Sequence, residues 1–367
     1  MNRPTDAIVV GAGIVGAACA WRLAREGMLV TVVDPRGIAA GTTASGMGHI
    51  VVMDGSEAEL ALTSRSRALW EELSHELPGA AGWNRRGTLW VARDLAELEA
   101  AKKRAQSMLA VGVEVVDAAR LKELEPRLRL GLSGGLLVAG DAIVRPPEVA
   151  RWMLEQSKAR LIDASPVREI RPGRVRLESG VELAAGIVVL AAGLWLRALT
   201  GLPLTAKKGH LASIEGPVGF CKHQIVEMGY VAKTHTDGES VSFNIQPRVG
   251  GELVVGSSRQ PGVESADVEQ SVVEKMLRRA IEFMPDLESF RVSREWTGLR
   301  AATPDGLPVI GELPGRERVY VAGGHEGLGL TMAMGTAEII ADAVAGRKPQ
   351  IDSAPYSPKR FAPMLKR

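Results

Sequence analysis

Gly11, Gly13 and Gly16, in the run Gly11-Ala12-Gly13-Ile14-Val15-Gly16, have the types and spacing to receive a phosphate group. Gly11 suits a tight turn, Gly13 lets a pyrophosphate approach the backbone, and Gly16 permits close helix–strand packing. The free N–H groups of the helix that follows carry partial positive charge and point at such an anion. Alone the glycines are a weak motif, and their context strengthens them. Ala7-Ile8-Val9-Val10 reads as a buried strand before the turn, and Ile14–Glu26 as a helix kept thin by Ala17, Ala18 and Ala20. Leu29–Val33 then reads as a second strand ending at Asp34. A carboxylate there accepts hydrogen bonds from ribose hydroxyls and repels a 2′-phosphate. The expected ligand is FAD or NAD rather than NADP.

Three other segments bear on the same site. Gly41-Thr42-Thr43-Ala44-Ser45-Gly46-Met47-Gly48-His49-Ile50 is a loop of small and hydroxyl residues, suited to press against a flat ring and donate hydrogen bonds to it. It follows the second strand, which puts it on the ligand side of an open α/β sheet. Val189-Leu190-Ala191-Ala192-Gly193-Leu194-Trp195 is a buried strand reaching a small-residue turn on that same side. In the third segment, Val321–Thr331, four glycines open a long helix, a second anion-compatible N-terminus that could face a flavin.

Positioning these segments requires an alternation of elements. Amphipathic helices are expected over Leu60–Leu77, Leu95–Val111, Ala119–Glu125, Glu148–Gln156 and Glu264–Phe283, and a long helix over Thr331–Ala345. Strands are expected at Thr88–Val91, within Gly131–Val144, in short pieces over Val167–Leu183, and at Ile187–Leu190 and Val319–Ala322. Ser240–Gln246 and Glu252–Gly256 alternate in polarity, as in a half-exposed antiparallel sheet. The nucleotide domain is thus assembled from separated pieces (1–84, 145–205 and 295–367), with a second domain (85–144 and 206–294) inserted between them.

Composition narrows the functional class. The 367 residues include 45 basic and 43 acidic side chains, a net charge of +2, which gives no field for nucleic acid. No run approaches the ~18 apolar residues of a membrane span. The segment before Ala7 reads as a folded beginning rather than a signal peptide, so a cytoplasmic protein is expected. The two cysteines, Cys19 and Cys221, offer no disulfide framework or metal spacing, and no HExxH, CxxC or Ser-His-Asp arrangement occurs. No metal is expected.

Taken in order, these motifs resemble the FAD-dependent D-amino acid oxidase superfamily. The resemblance runs over nearly the whole chain: the GAGIVG turn, Thr43-Ala44-Ser45, Ala191–Trp195, and Lys208-Gly209-His210, where the family often has Arg-Gly-Gln. It continues through Trp296-Thr297-Gly298-Leu299-Arg300, Thr303–Gly311 and the Gly323-Gly324-His325-Glu326-Gly327 turn. Ser242–Arg248, Gly256–Gln260 and His325–Gly329 are most similar to the D-hydroxyproline dehydrogenase branch.

The resemblance implies a two-lobed α/β fold, with a Rossmann-like FAD domain and an inserted antiparallel-sheet substrate domain. It implies FAD held noncovalently, since the tethering cysteine of monomeric sarcosine oxidases has no counterpart here. The implied contacts are Gly11 to Gly16, then Asp34, Pro35 and Arg36, then Thr42, Thr43, Ala44, Ser45, Gly48 and His49. Further along they are Val167, Ala192, Gly193 and Trp195, and last Arg300, His325, Glu326, Gly327, Leu328, Gly329, Leu330 and Thr331. Arg300 is implied as the bidentate anchor of a substrate carboxylate. His49 and Glu326 either line the substrate side or are ordinary loop residues, and His325 supports the cofactor rather than reacting.

The implied reaction is oxidation of a small amino or imino acid to its imine by hydride transfer from Cα to flavin. D-hydroxyproline or D-proline leads as substrate, with glycine and sarcosine next. Two further readings are an NAD-dependent dehydrogenase and a flavin-bearing subunit of a hetero-oligomeric dehydrogenase. A homo-oligomer or partner subunits fit the family.

Overall fold

The apolar residues Ala7–Val10 form β1, fully buried inside a six-stranded sheet, in a computed structural model that describes residues 5–230 and 238–365. Residues 1–4, part of the segment read as a folded beginning, lie outside the described residues. Helix α1 (Ile14–Arg25) and β2 (Val30–Val33) complete the first unit. A short β3 (His49–Ile50) leads to α2 (Glu57–Ser74), which starts earlier than its apolar pattern suggests because the Ser56 side chain accepts the Glu59 N–H. Next come β4 (Thr88–Ala92), α3 (Leu95–Ser107), β5 (Val113–Asp117), α4 (Ala118–Leu124), β6 (Gly134–Val138) and β7 (Ala142–Ile143). The helix expected to reach Val111 stops at Ser107, followed by a tighter turn that the left-handed Gly112 ends.

The chain continues through α5 (Pro146–Ser157), β8 (Arg160–Ile162), β9 (Val167–Arg171), β10 (Arg174–Leu177), β11 (Glu182–Ala184), β12 (Ile187–Leu190) and α6 (Leu196–Thr200). Longer strands follow: β13 (Thr205–Glu215), β14 (Gln224–Glu227), β15 (Ser240–Pro247) and β16 (Glu252–Pro261). Then come α7 (Gln270–Phe283), β17 (Arg291–Ala302), β18 (Val309–Glu312), β19 (Val319–Gly323) and α8 (Gly329–Ala345).

The six-stranded sheet has the order β18-β19-β12-β1-β2-β8, parallel except for β18. Ala7 and Val9 face a core shared with α1, α5 and α8, whereas Ile8 and Val10 face one shared with the β9–β11 sheet. Both faces are covered, which is why β1 and β12 read as unbroken apolar runs. Helix α8, with the turn before it, is long and apolar enough to span a membrane, contrary to the sequence expectation. It packs against α1 and α2 in the core, and that burial accounts for its composition.

The second sheet has eight strands in the order β17-β13-β16-β15-β14-β4-β6-β5. One face stacks on α7, with Phe243 and Phe283 rings 4.8 Å apart. The opposite face corrects the expectation of a half-exposed sheet. Ser242, Asn244, Gln246 and Ser257 are buried, so polarity here marks an interior polar face rather than solvent. Two boundaries also change. α7 begins at Gln270 instead of Glu264 because Glu269 is pinned to β13: its N–H donates to His210 Nε2, and its carboxylate accepts from Lys208 Nζ. β17 runs unbroken through the domain boundary expected at 294/295, so the large sheet reaches Ala302.

Candidate cofactor and substrate site

The glycine turn has the geometry its spacing implies. Gly11 has φ +113°, and a Cβ there would lie 2.4 Å from Ala191 O; one on Gly16 would lie 1.9 Å from Gly11 O. A Cβ on Gly13 would meet only Thr43 Oγ1, at 3.1 Å, so Gly13 leaves an open approach to the backbone. Gly13 caps α1 without a side chain, and the Ile14 N–H donates to Thr43 Oγ1 at 2.9 Å. Val15, like Gly13, is half-buried, between buried Ala12, Ile14 and Gly16. Asp34 ties the turn to its own loop, accepting the Ala12 N–H at Oδ2 and the Arg36 N–H at Oδ1, both at 2.8 Å. Pro35 and Arg36 are exposed beside it. Ser165 N–H donates to Asp34 O, which brings the start of β9, with half-buried Val167, next to this loop.

The loop after β2 is fixed to both sheets. Thr42 Oγ1 donates to Leu299 O at 2.7 Å, and Trp296 Nε1 to Ser45 O at 3.2 Å. Gly298 is bare because a Cβ there would sit 2.7 Å from Ser45 Cβ. Gly48 (φ +95°) packs against Val144 O. Arg248, a residue the sequence reading did not single out, clamps this corner by donating to Met47 O at 2.5 Å and Val144 O at 2.8 Å. Ala44 is exposed on the loop. On the opposite side, Ala192 is half-buried, Gly193 adopts φ +56°, and Trp195 is 63% exposed. An open anion approach, a ribose-ready carboxylate and a fixed small-residue loop fit a flavin dinucleotide.

The substrate end lies where β17, β13 and β16 run side by side. Arg300 leaves β17, passes over Gly209 of β13, and donates from Nη1 to Ser258 O of β16 at 3.0 Å. Among the described residues no carboxylate lies within ion-pair distance of it. Its guanidinium is pulled below its ordinary pKa by burial and by neighbouring Arg259, yet arginine remains charged at any working pH.

Arg259, also missed by the sequence reading, is in the opposite situation. Its Nε donates to Glu326 Oε1 at 3.1 Å and its Nη2 to Tyr230 Oη at 3.1 Å, and it lies over the Tyr230 ring. Glu326 Oε2 also accepts from Lys207 Nζ at 3.4 Å. Burial works to raise the Glu326 carboxyl, but Arg259, Lys207 and Arg300 outweigh it and hold it below the usual carboxylate range. It is ionised and engaged, not a free base. Glu326 also adopts φ +49°, a left-handed conformation that costs a non-glycine residue about 1–2 kcal/mol.

His49 sits against this cluster. Its Nδ1 is buried without a hydrogen-bond partner. Burial, opposed by a hydrogen bond to the Gly327 backbone and aided by Arg300, Arg248 and Arg259, lowers its pKa to about 4. The ring is neutral at physiological pH and open to a hydrogen bond. His325 faces the other way. It is buried, its Nε2 meets Thr336 Oγ1 at 2.9 Å, and burial lowers it to about 4. Its role is to hold the turn.

The backbone regains partial exposure from Glu326 through Gly327, Leu328, Gly329 and Leu330, where α8 begins without a side-chain cap. Thr331 departs from its expected role. It is fully buried, its Oγ1 donates to His49 O and accepts the Val51 N–H, and so its hydroxyl is spent tying α8 to β3. Lys208 and His210 likewise belong to the α7 side of β13, through Glu269.

A dinucleotide turn on a largely parallel sheet, joined to an arginine-lined sheet that is antiparallel except where β14 and β4 pair in parallel, defines a flavin-dependent oxidoreductase. The chain belongs to the DAO family, FAD dependent oxidoreductase, which it matches over residues 6–343. It is 28% identical to glycine oxidase of Geobacillus kaustophilus over 97% of each chain. The crystal structure of glycine oxidase from that species superposes with a TM-score of 0.87 at 26% identity, covering 97% of this chain and 98% of the other. L-proline dehydrogenase from P. horikoshii shares the fold, with a TM-score of 0.89 at 22% identity and complete coverage of both chains. Hydrogen cyanide synthase subunit HcnC of Pseudomonas aeruginosa is 25% identical over 99% of this chain and 98% of its own.

Proposed function

We propose that the protein oxidises a small α-amino or α-imino acid at its Cα–N bond. The observation that carries this reading is Arg300, a largely desolvated guanidinium that, among the described residues, has no carboxylate within ion-pair distance and acts on His49 at the end of the small-residue loop. A buried charge requires a partner, and a substrate carboxylate matches the fork bidentately. Relatives named glycine oxidase support the amino-acid class. FAD, held noncovalently by the Gly11–Gly16 turn, Asp34 and the Thr42–Ser45 loop, supplies the two-electron acceptor.

The chain's own residues bind and orient. Arg300 fixes the carboxylate, and neutral His49 offers an acceptor to the substrate amine or a ring hydroxyl. The loop bolted down by Arg248, Thr42 and Trp296 keeps the reacting face in register, and such positioning accounts for much of catalysis. We further propose that the six-stranded sheet with its helices is the cofactor domain and the eight-stranded sheet the substrate domain.

D-hydroxyproline or D-proline is the leading substrate, supported by the Ser242–Arg248 and Gly256–Gln260 segments. Glycine or sarcosine is the second reading, supported by the relatives' names. Anaerobic mixing of the holoenzyme with each compound decides between them: the substrate bleaches the flavin absorbance, and the others leave it. If no amino or imino acid bleaches it, the proposal is wrong. Turnover of the isolated chain with an artificial acceptor separates a self-sufficient enzyme from a subunit that needs partners.

A further inference from the structure

Two guanidiniums meet at the substrate end, and the protein treats them differently. Arg300 has no protein carboxylate among the described residues, whereas Arg259 is met by Glu326 at 3.1 Å. They are close enough that each acts on the Tyr230 phenol, and Arg300 ends on the carbonyl of Ser258, the residue next to Arg259. Glu326 reaches Arg259 from the α8 turn in a left-handed conformation, braced by Lys207 at 3.4 Å. An acidic side chain has thus been placed, at a backbone cost, where it neutralises one of two adjacent anion sites.

The geometry points to Glu326 as a specificity-determining residue: its carboxylate occupies Arg259 and restricts the site to substrates with a single carboxylate. This rests on the reading of Arg300 as the substrate anchor. A second substrate carboxylate would meet Glu326 instead of a free guanidinium, and like charges brought together in a desolvated site reject the wrong ligand. The depressed pKa of Glu326 agrees, since the group keeps its charge across the working range. With that charge removed, Arg259 becomes a second anion site, still held by Tyr230 at 3.1 Å.

The test compares acetate with malonate on the FAD-loaded protein, with binding read by calorimetry and by perturbation of the flavin spectrum. Wild type is expected to bind malonate no better than acetate. Glu326→Gln should shift the ratio of dissociation constants at least tenfold toward malonate, and adding Arg259→Met should remove that shift. Glu326→Asn is the second variant, because asparagine adopts the left-handed conformation more readily. A ratio unchanged in both variants overturns the proposal, as does a shift that survives the loss of Arg259 or a wild type that already prefers malonate tenfold. Flavin loss in both variants also overturns it, by assigning Glu326 to the cofactor turn. A wild type that binds acetate but shows an unmoved ratio sinks only this inference. A wild type that binds no carboxylate and is reduced by no amino acid sinks the Arg300 reading as well.

Discussion

Arg300 lies directly over Gly209, so closely that a single added methyl at 209 would stand 2.3 Å from its Nη2. The path of Arg300, the proposed anchor, is therefore set by a missing side chain on the neighbouring strand. Gly209→Ala should push the guanidinium off Ser258 O while leaving the cofactor turn untouched. A displacement on the order of 1 Å is enough for roughly a hundredfold loss of activity. Steady-state kinetics together with flavin content check this: kcat/KM falls and flavin occupancy stays. Unchanged kinetics would mean that the arginine is not the anchor.

Arg300→Met keeps the bulk and removes the charge. Leaving the substrate carboxylate buried without its partner costs about 2–5 kcal/mol, a drop of roughly thirtyfold to several thousandfold in kcat/KM. Carboxylates that perturb the wild-type flavin spectrum should lose their effect on the variant. An amine lacking a carboxylate that outperforms amino acids on the wild type would make Arg300 structural.

The purified protein should be yellow and release FAD into the supernatant on acid precipitation; flavin retained by the pellet would refute noncovalent binding. Gly13→Val fills the one open approach to the turn and should abolish FAD binding. Asp34→Ala removes the acceptor of the Ala12 and Arg36 N–H groups. Each charge-assisted bond contributes about 1.5–3 kcal/mol, so the variant should bind FAD more weakly and melt earlier. Fluorescence titration of the apoprotein with FAD measures both variants.

His325 gives a pH signature. Its pKa is lowered by burial from 6.5 to about 4, so the unfolded chain binds the extra proton first as pH falls. Stability contributed by the neutral ring is complete above about 6.5 and is lost as pH drops toward 4, amounting to about 3 kcal/mol at the acid end. Asp141 works in the opposite sense. Burial raises its carboxyl to about 6, so its contribution is lost as pH rises through that value. The difference between wild type and His325→Gln isolates the histidine. Urea melts at pH 7.5, 5.5 and 4.5 should show the variant losing less stability on acidification, and parallel losses would contradict the assignment.

The cofactor end was legible because backbone geometry dictates residue type there. Gly11 and Gly16 have no room for a Cβ, and Gly13 leaves the anion's path open, so the pattern carries its own physics. The substrate end was legible only in part. Arg300 was found through its family motif, since nothing in its neighbours reveals that it crosses to β16. Arg259, Tyr230, Lys207 and Arg248 act through contacts between distant strands, which local spacing does not encode. The polar faces of β15 and β16 were misread for a related reason. Alternation reports that one face is polar, and solvent is only the commonest cause. Here the polar atoms of Asn244 and Gln246 turn inward.

Helix α8 packs against α1, although more than 300 residues separate them in the chain. At a synthesis rate of about 5–20 residues per second, the first glycine turn waits roughly 15–60 s for the strand and helix that complete its surroundings. During that interval Ala7, Val9 and the thin face of α1 lack the cover that α8 supplies. A chain ending before Val319 would leave the edge of β12 that β19 covers unpaired. A ribosome stalled before β19 would carry a substrate for chaperones.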